Sequence, residues 1–171
     1  MQSDSGLERK FCQFGDGLIE GYASLFGVAD QGGDVVAKGA YTGSLTALAA
    51  QGRGVKMLWQ HDASAPIGVW DEVREDERGL YVKGRLLESV ALIEAGALDG
   101  LSIGYRTKKA VRGADGKRNL QELELWEVSL VTFPMLPSAR VGAKADTLET
   151  DQVGLRALAG ALRDAAQDLK L

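Results

Sequence analysis

The chain has 171 residues, 45% of them hydrophobic and 26% charged, as in an ordinary globular domain able to enclose one core. A net charge of −4 offers no basic field for nucleic acid, and no run approaches the about 18 apolar residues that cross a bilayer. The polar start MQSDSGLERK lacks the apolar segment of a signal peptide, and Cys12, the single cysteine, leaves no internal disulfide and no cysteine-based zinc site. Those features point to a reducing cytoplasm.

Twenty-two glycines against three prolines predict many tight turns and a β-rich chain. In order, residues 1–10 read as a flexible N-terminus and 11–28 as one or two strands, with a turn at DQGGD (30–34). Residues 41–51 read as a short helix, capped by Thr42 or Ser44, with Leu45, Leu48 and Ala49 on one face and Gly52 at its end. Residues 55–61 read as a strand, and 67–74 and 79–87 as a hairpin through the charged turn EDER. A second helix is predicted over about 90–98, capped by Ser89 and stopped at Gly100. Residues 101–111 and 120–133 read as strands joined by the turn RGADGKR, the latter with clear alternation. Beyond Pro134 and Pro137 the composition shifts. Leu155, Leu158, Leu162, Ala165 and Leu169 fall near heptad spacing, which predicts a helical tail or linker over 146–171. The expected class is therefore α+β and β-rich, a β-barrel-like domain over 11–145 with short helices around it and a C-terminal helix.

Three polar side chains stand out. His61 is the only histidine, and an imidazole titrating near neutral pH is the usual general base. On a continuous 55–61 strand its ring would share a face with Met57 and Trp59. Ser102 follows the tight Asp99-Gly100 turn and shares a face with Gly104, whose missing side chain would let a substrate backbone approach. Glu127 interrupts the last strand. If Leu123 and Leu125 face the core, Glu127 and Ser129 face it too, and the carboxylate needs a partner such as an imidazole. The residues by themselves leave bland readings open: a structural histidine, a serine at a strand start, and a glutamate paired with Arg106 or turned to water. Asp62 is a weaker acid for His61, because strand neighbours point to opposite faces. Cys12 is a poor nucleophile candidate, close to the N-terminus. The basic residues Lys108, Lys109, Arg112, Lys117 and Arg118 read as a solvated hairpin end, and the two acids of DQGGD as a solvated loop. One histidine and no H-E-x-x-H or EF-hand pattern give no metal site.

The segments EGYASLFGVADQGGDVVAKGAY (20–41), VKMLWQHD with PIGVW (55–70), GLYVKGRLL (79–87), EAGALDGLSIGY (94–105) and WEVSLVTFPMLPSARV (126–141) occur in an order that resembles the prohead (capsid-maturation) proteases of tailed phages and gene transfer agents. The resemblance covers roughly residues 12–141. The stretch ESVALI (88–93) is shorter than the family pattern, which implies a trimmed substrate-side loop. The family looks like the herpesvirus assemblins in fold, which implies an assemblin-like β-barrel. It assigns His61 of the Q-H-D segment as base, Ser102 of the G-L-S-I-G-Y segment as nucleophile and Glu127 of the E-V-S-L-V segment as orienting acid.

The resemblance implies a serine endopeptidase, without metal or organic cofactor, that cleaves the scaffold or delta segment of the major capsid protein, and itself, inside the immature capsid in the bacterial host cytoplasm. It implies a homo-oligomer, a dimer being one form, with no direct contact to membrane or nucleic acid. Two rivals stand beside it: a non-catalytic scaffold-like module binding capsid protein through its C-terminal helix, and an esterase-like hydrolase with the same residues.

Overall fold

The computed structural model describes residues 17–87 and 90–142. Most of them are built from alternation. β1 (Leu18–Leu25) buries Ile19 and Ala23 while Leu18 and Glu20 point out, and β5 (Gly79–Leu86) buries Leu80, Val82 and Leu86 around exposed Lys83 and Arg85. Such a period of two sends one face to a core and the other to water, the pattern of an antiparallel sheet. β1 pairs with β5, β5 with β4 (Asp62–Glu75), and β4 with β3 (Lys56–Trp59), all antiparallel. β3 runs parallel to β7 (Arg118–Val131), and β6 (Gly100–Arg112) runs antiparallel along the length of β7. β2 (Asp34–Val36) adds a short parallel pairing to the start of β7. One edge of β7 thus carries β6, and the other carries β2 and then β3.

The sheet curls into a half-barrel, the β-rich α+β architecture expected from the sequence. The chain after β7 ties its two margins together. On the β6 side Leu101 N–H donates to the Ala139 carbonyl at 2.8 Å and Val141 N–H to that of Asp99 at 2.8 Å. On the β1 side Gly21 pairs with Val141, and Gly142 N–H donates to the Glu20 carbonyl at 2.8 Å. Inside the curl, Met57, Leu80, Leu101, Leu125, Val128 and Leu130 form the centre of one hydrophobic core.

The helices are small. α1 (Thr42–Ala50) lays Leu45 and Leu48 against the core. The expected cap is not formed: Tyr41 holds the cap position without a side-chain bond, Thr42 Oγ1 donates to Glu75, and Ser44 Oγ accepts from Leu125 N–H at 2.9 Å. Tertiary partners took both hydroxyls. α2 (Val90–Glu94) is shorter than expected because the chain turns at Gly96, φ +69°, and Gly100 instead opens β6. β2 carries no local signal, since three residues are held there by pairing with 118–120. The 55–61 strand ends early, at Trp59, and β4 begins at Asp62 rather than at 67. The expected flexible N-terminus 1–10, Cys12, the Ser89 cap and the helical tail 146–171 lie outside the described residues. Among the described residues, no helix is long and apolar enough to cross a membrane.

Gly21 lets the closing segment approach β1: a Cβ there would stand 2.4 Å from the Arg140 carbonyl oxygen, a backbone atom that cannot swing aside. Gly21→Ala should therefore destabilise the domain by about 1–3 kcal/mol, as overpacking does. Urea denaturation checks this as a lower midpoint with an unchanged slope.

Candidate active site

β6 and β7 set the first half of the site by register. Cross-strand partners share a face of a sheet. Ser102 pairs with Ser129 and Gly104 with Glu127, whereas Leu101 pairs with Leu130 and Ile103 with Val128 on the core side. Just beyond, the register slips: Tyr105 pairs with Leu125, so Trp126 is an extra residue of β7, a β-bulge. The bulge inverts the alternation. Leu123 and Leu125 face the core before it, Val128 and Leu130 after it, and Glu127 and Ser129 turn to the opposite face beside Ser102. The expectation that Glu127 shares a face with Leu123 and Leu125 is thus corrected. Its burial, at 8% exposure, comes from packing on the other side of the sheet.

A tight turn supplies the second half. Trp59 pairs with Asp62, leaving Gln60 and His61 as a two-residue hairpin loop, with φ of +50° and +63°. Positive φ at both loop residues is the signature of a type I′ turn, normally built from Asn-Gly. Here neither residue is glycine, and such backbone persists only where surroundings hold it. β7 and the residue after it do so: Gln60 N–H donates to the Leu130 carbonyl at 2.9 Å, Gln60 Nε2 to Thr132 Oγ1 at 2.7 Å, and His61 N–H to Ser129 Oγ at 3.1 Å. Had β3 continued straight, His61 would have pointed with Met57 and Trp59 toward the core. The turn brings its ring round to the face of Ser102 and Glu127.

The result is a continuous line of polar atoms. His61 Nδ1 lies 2.6 Å from Glu127 Oε1, and His61 Nε2 lies 2.9 Å from Ser102 Oγ. An ionised carboxylate only accepts, so Nδ1 carries the proton toward Glu127 and Nε2 of the neutral ring accepts from the serine hydroxyl. Ser129 Oγ donates to the other carboxylate oxygen, Oε2, at 2.5 Å, so both oxygens of the buried carboxylate are satisfied. Ser102 is buried at 6% exposure, while the His61 side chain is 43% exposed, so the line opens to solvent at the imidazole. The bond to Glu127 raises the His61 pKa above its ordinary 6.5, aided by the carboxylate charge, while burial acts the other way. Ser102 also lines a cavity of about 160 Å³ with apolar neighbours that include Val28, Ile103, Met135 and Leu136. Such an arrangement can deprotonate a hydroxyl for attack on a carbonyl.

Gly104 has a different use from the one expected. A Cβ on it would stand 1.9 Å from Glu127 Oε1, so its bare backbone makes room for the carboxylate. Asp62 does not reach His61; it accepts from Ser64 N–H at 2.8 Å and Ser64 Oγ at 2.6 Å. Arg106 pairs with Glu124, not Glu127. Of the DQGGD acids, Asp30 accepts from Gly32 and Asp34 N–H groups, and Asp34 pairs with Arg118. Among the described residues, no group of three or more His, Cys, Asp or Glu is placed to hold a metal ion. The sequence reading placed Ser129 on the face of Glu127 without giving it a role, and passed over the Gln60–Thr132 clasp. The signal for Ser129 was present, a small hydroxyl two residues from Glu127 in a run of buried apolar residues.

Residues 7–153 match the family model described as caudovirus prohead serine protease. The chain belongs to that family. It is similar to the prohead protease of Enterobacteria phage HK97, 35% identical over 148 residues that cover 78% of this chain and 64% of that protein. A segment covering 51% of the chain is 32% identical to 15% of the capsid polyprotein of Pseudomonas phage PAJU2. The chain thus spans less than two thirds of the length of either curated relative. In fold it is similar to the bacteriophage T4 capsid assembly protease, with a TM-score of 0.56 at 15% identity, covering 67% of this chain and 80% of that one.

As the only histidine, His61 can be titrated by NMR without assignment. Its midpoint should lie above 6.5 and fall in Glu127→Gln, where the charge that favours the imidazolium is gone. The sign for stability follows: the pairing contributes fully below the unfolded value near 6.5 and is lost as pH rises through the raised folded value. Gly104→Ala would set a Cβ 1.9 Å from Oε1 and 2.8 Å from Cγ of the buried Glu127, whose carboxylate is bonded at both oxygens. It should lower the denaturation midpoint and drop the His61 midpoint toward 6.5 together.

Proposed function

We propose that this chain is a serine endopeptidase of prohead maturation, with Ser102 as nucleophile, His61 as general base and Glu127 as orienting acid. The observation that carries the proposal is the unbroken contact line from Ser102 through His61 to the buried Glu127. His61 takes the hydroxyl proton as Ser102 Oγ attacks a peptide carbonyl. It then gives that proton to the departing amine, which leaves an acyl-enzyme on Ser102. Water, deprotonated by the same imidazole, releases the acid and restores the serine. Glu127 fixes the tautomer and stabilises the transient imidazolium. The chemistry uses no metal and no organic cofactor.

Family membership and a relative that is itself a capsid polyprotein support the scaffold or delta segment of the major capsid protein as substrate, within the immature shell in the host cell. The cavity beside Ser102, whose lining mixes apolar residues with Asp30 and Asp34, gives space for a substrate side chain. Self-cleavage and self-association belong to the same reading.

A fluorophosphonate probe tests the nucleophile. Wild type should label at one site, mapped by peptide mass to Ser102. Ser102→Ala should not label, and His61→Ala should label about 10²–10⁴-fold more slowly, the usual worth of a general base. Labelling that persists in Ser102→Ala contradicts the serine assignment. A scaffold module would not label at all, and an esterase would label but leave a peptide amide uncut. The labelling rate should rise with pH along the His61 titration, with its midpoint above 6.5.

A further inference from the structure

We infer that Ser129 is a positioning residue, whose single hydroxyl fixes the backbone of His61 and the outer oxygen of Glu127 at once, holding the imidazole in line with Ser102. The inference rests on the proposed serine mechanism for its consequence, but on geometry for its content. Ser129 is fully buried, at 0% exposure, in a stretch where its neighbours Val128, Leu130 and Val131 are all buried and apolar. A hydroxyl in such a place is costly unless its bonds are made. It has one proton and two lone pairs to place. The proton goes to Glu127 Oε2 at 2.5 Å, and a lone pair accepts the His61 N–H at 3.1 Å.

The position in the sheet explains why one residue can do both. Ser129 stands opposite Ser102 across the β6–β7 ladder and beside Leu58 across the β3–β7 ladder. It therefore lies between the strand that carries the nucleophile and the strand that turns into the histidine. His61 sits at φ +63° without being glycine, so its backbone needs a hold, and its own N–H is held by Ser129. Glu127 Oε1 is occupied by the imidazole, and Oε2 by Ser129. The carboxylate can neither rotate nor drift from the ring while both bonds stand. Histidine is thus fastened to β7 at two points, ring and backbone, and Ser129 completes both.

The test uses the full chain, the His61 NMR titration and the fluorophosphonate labelling rate, in Ser129→Ala, Ser129→Cys and Ser129→Thr. Loss of the hydroxyl frees both the turn and the carboxylate. The bond that raises the His61 midpoint weakens, the burial that lowers it remains, and the midpoint falls toward 6.5. The labelling rate should fall by up to about a hundredfold, as for a small misplacement of a reacting group. Cysteine keeps the volume but is a weak donor and acceptor, so it should behave as alanine does, and it reads the same point if alanine impairs folding. Threonine keeps the hydroxyl and should restore most of the rate. A midpoint that is unchanged or raised, with the wild-type labelling rate, overturns the positioning role. Failure of the serine mechanism itself shows separately, as wild type that does not label, and the titration still decides the role of Ser129.

Discussion

β6 and β7 are paired so that Ser102 faces Ser129 and Gly104 faces Glu127, and the site depends on that register. A slip of β7 by one residue against β6 would turn Glu127 and Ser129 to the core face, away from Ser102. The bulge at Trp126 makes the register compatible with the rest of β7. It lets Leu123 and Leu125 pack inward on one side of it and Val128 and Leu130 on the other, while the two polar residues between and beyond emerge on the opposite face. Without the extra residue, either the acid or the leucines would be on the wrong side. The sheet and the site share one constraint.

The turn at Gln60 and His61 is the costly part. Left-handed backbone at a residue other than glycine costs about 1–2 kcal/mol each. A hydrogen bond returns about 1 kcal/mol net. The bonds from the turn to Leu130, Thr132 and Ser129 are of the size needed to hold both residues. They end on β7, the strand that also carries Glu127, and on Thr132 just after it. The histidine and Glu127 are therefore positioned by the same piece of backbone, at a contact of 2.6 Å. Gly104 completes the arrangement by leaving space where any side chain would strike the carboxylate.

Much of this was legible in the residues. Alternation in 18–25, 79–86 and the last strand marks a β-rich domain with its core on one face, and the charged EDER marks its hairpin. His61, Ser102 and Glu127 stood out as polar groups in apolar settings, and family resemblance brought the three together. Their geometry was not legible. A period of two continues through a bulge unless something breaks it, so Glu127 was placed with the leucines. Gln-His is not a turn dipeptide, so the 55–61 strand ran two residues too far. Both deviations are local costs sustained by tertiary contacts, which single-strand patterns do not register, and both lie at the site. The same holds for β2 and for the caps of α1, where pairing with distant residues replaced the local choice.

Family membership and the contact line support one proposal, that Ser102, activated by His61, cuts a capsid protein chain. The most direct measurement is intact mass of the cognate major capsid protein after co-expression with wild type or with Ser102→Ala. The account predicts a capsid protein shortened at a defined site by wild type and left whole by the mutant. A capsid protein shortened equally by both would contradict it.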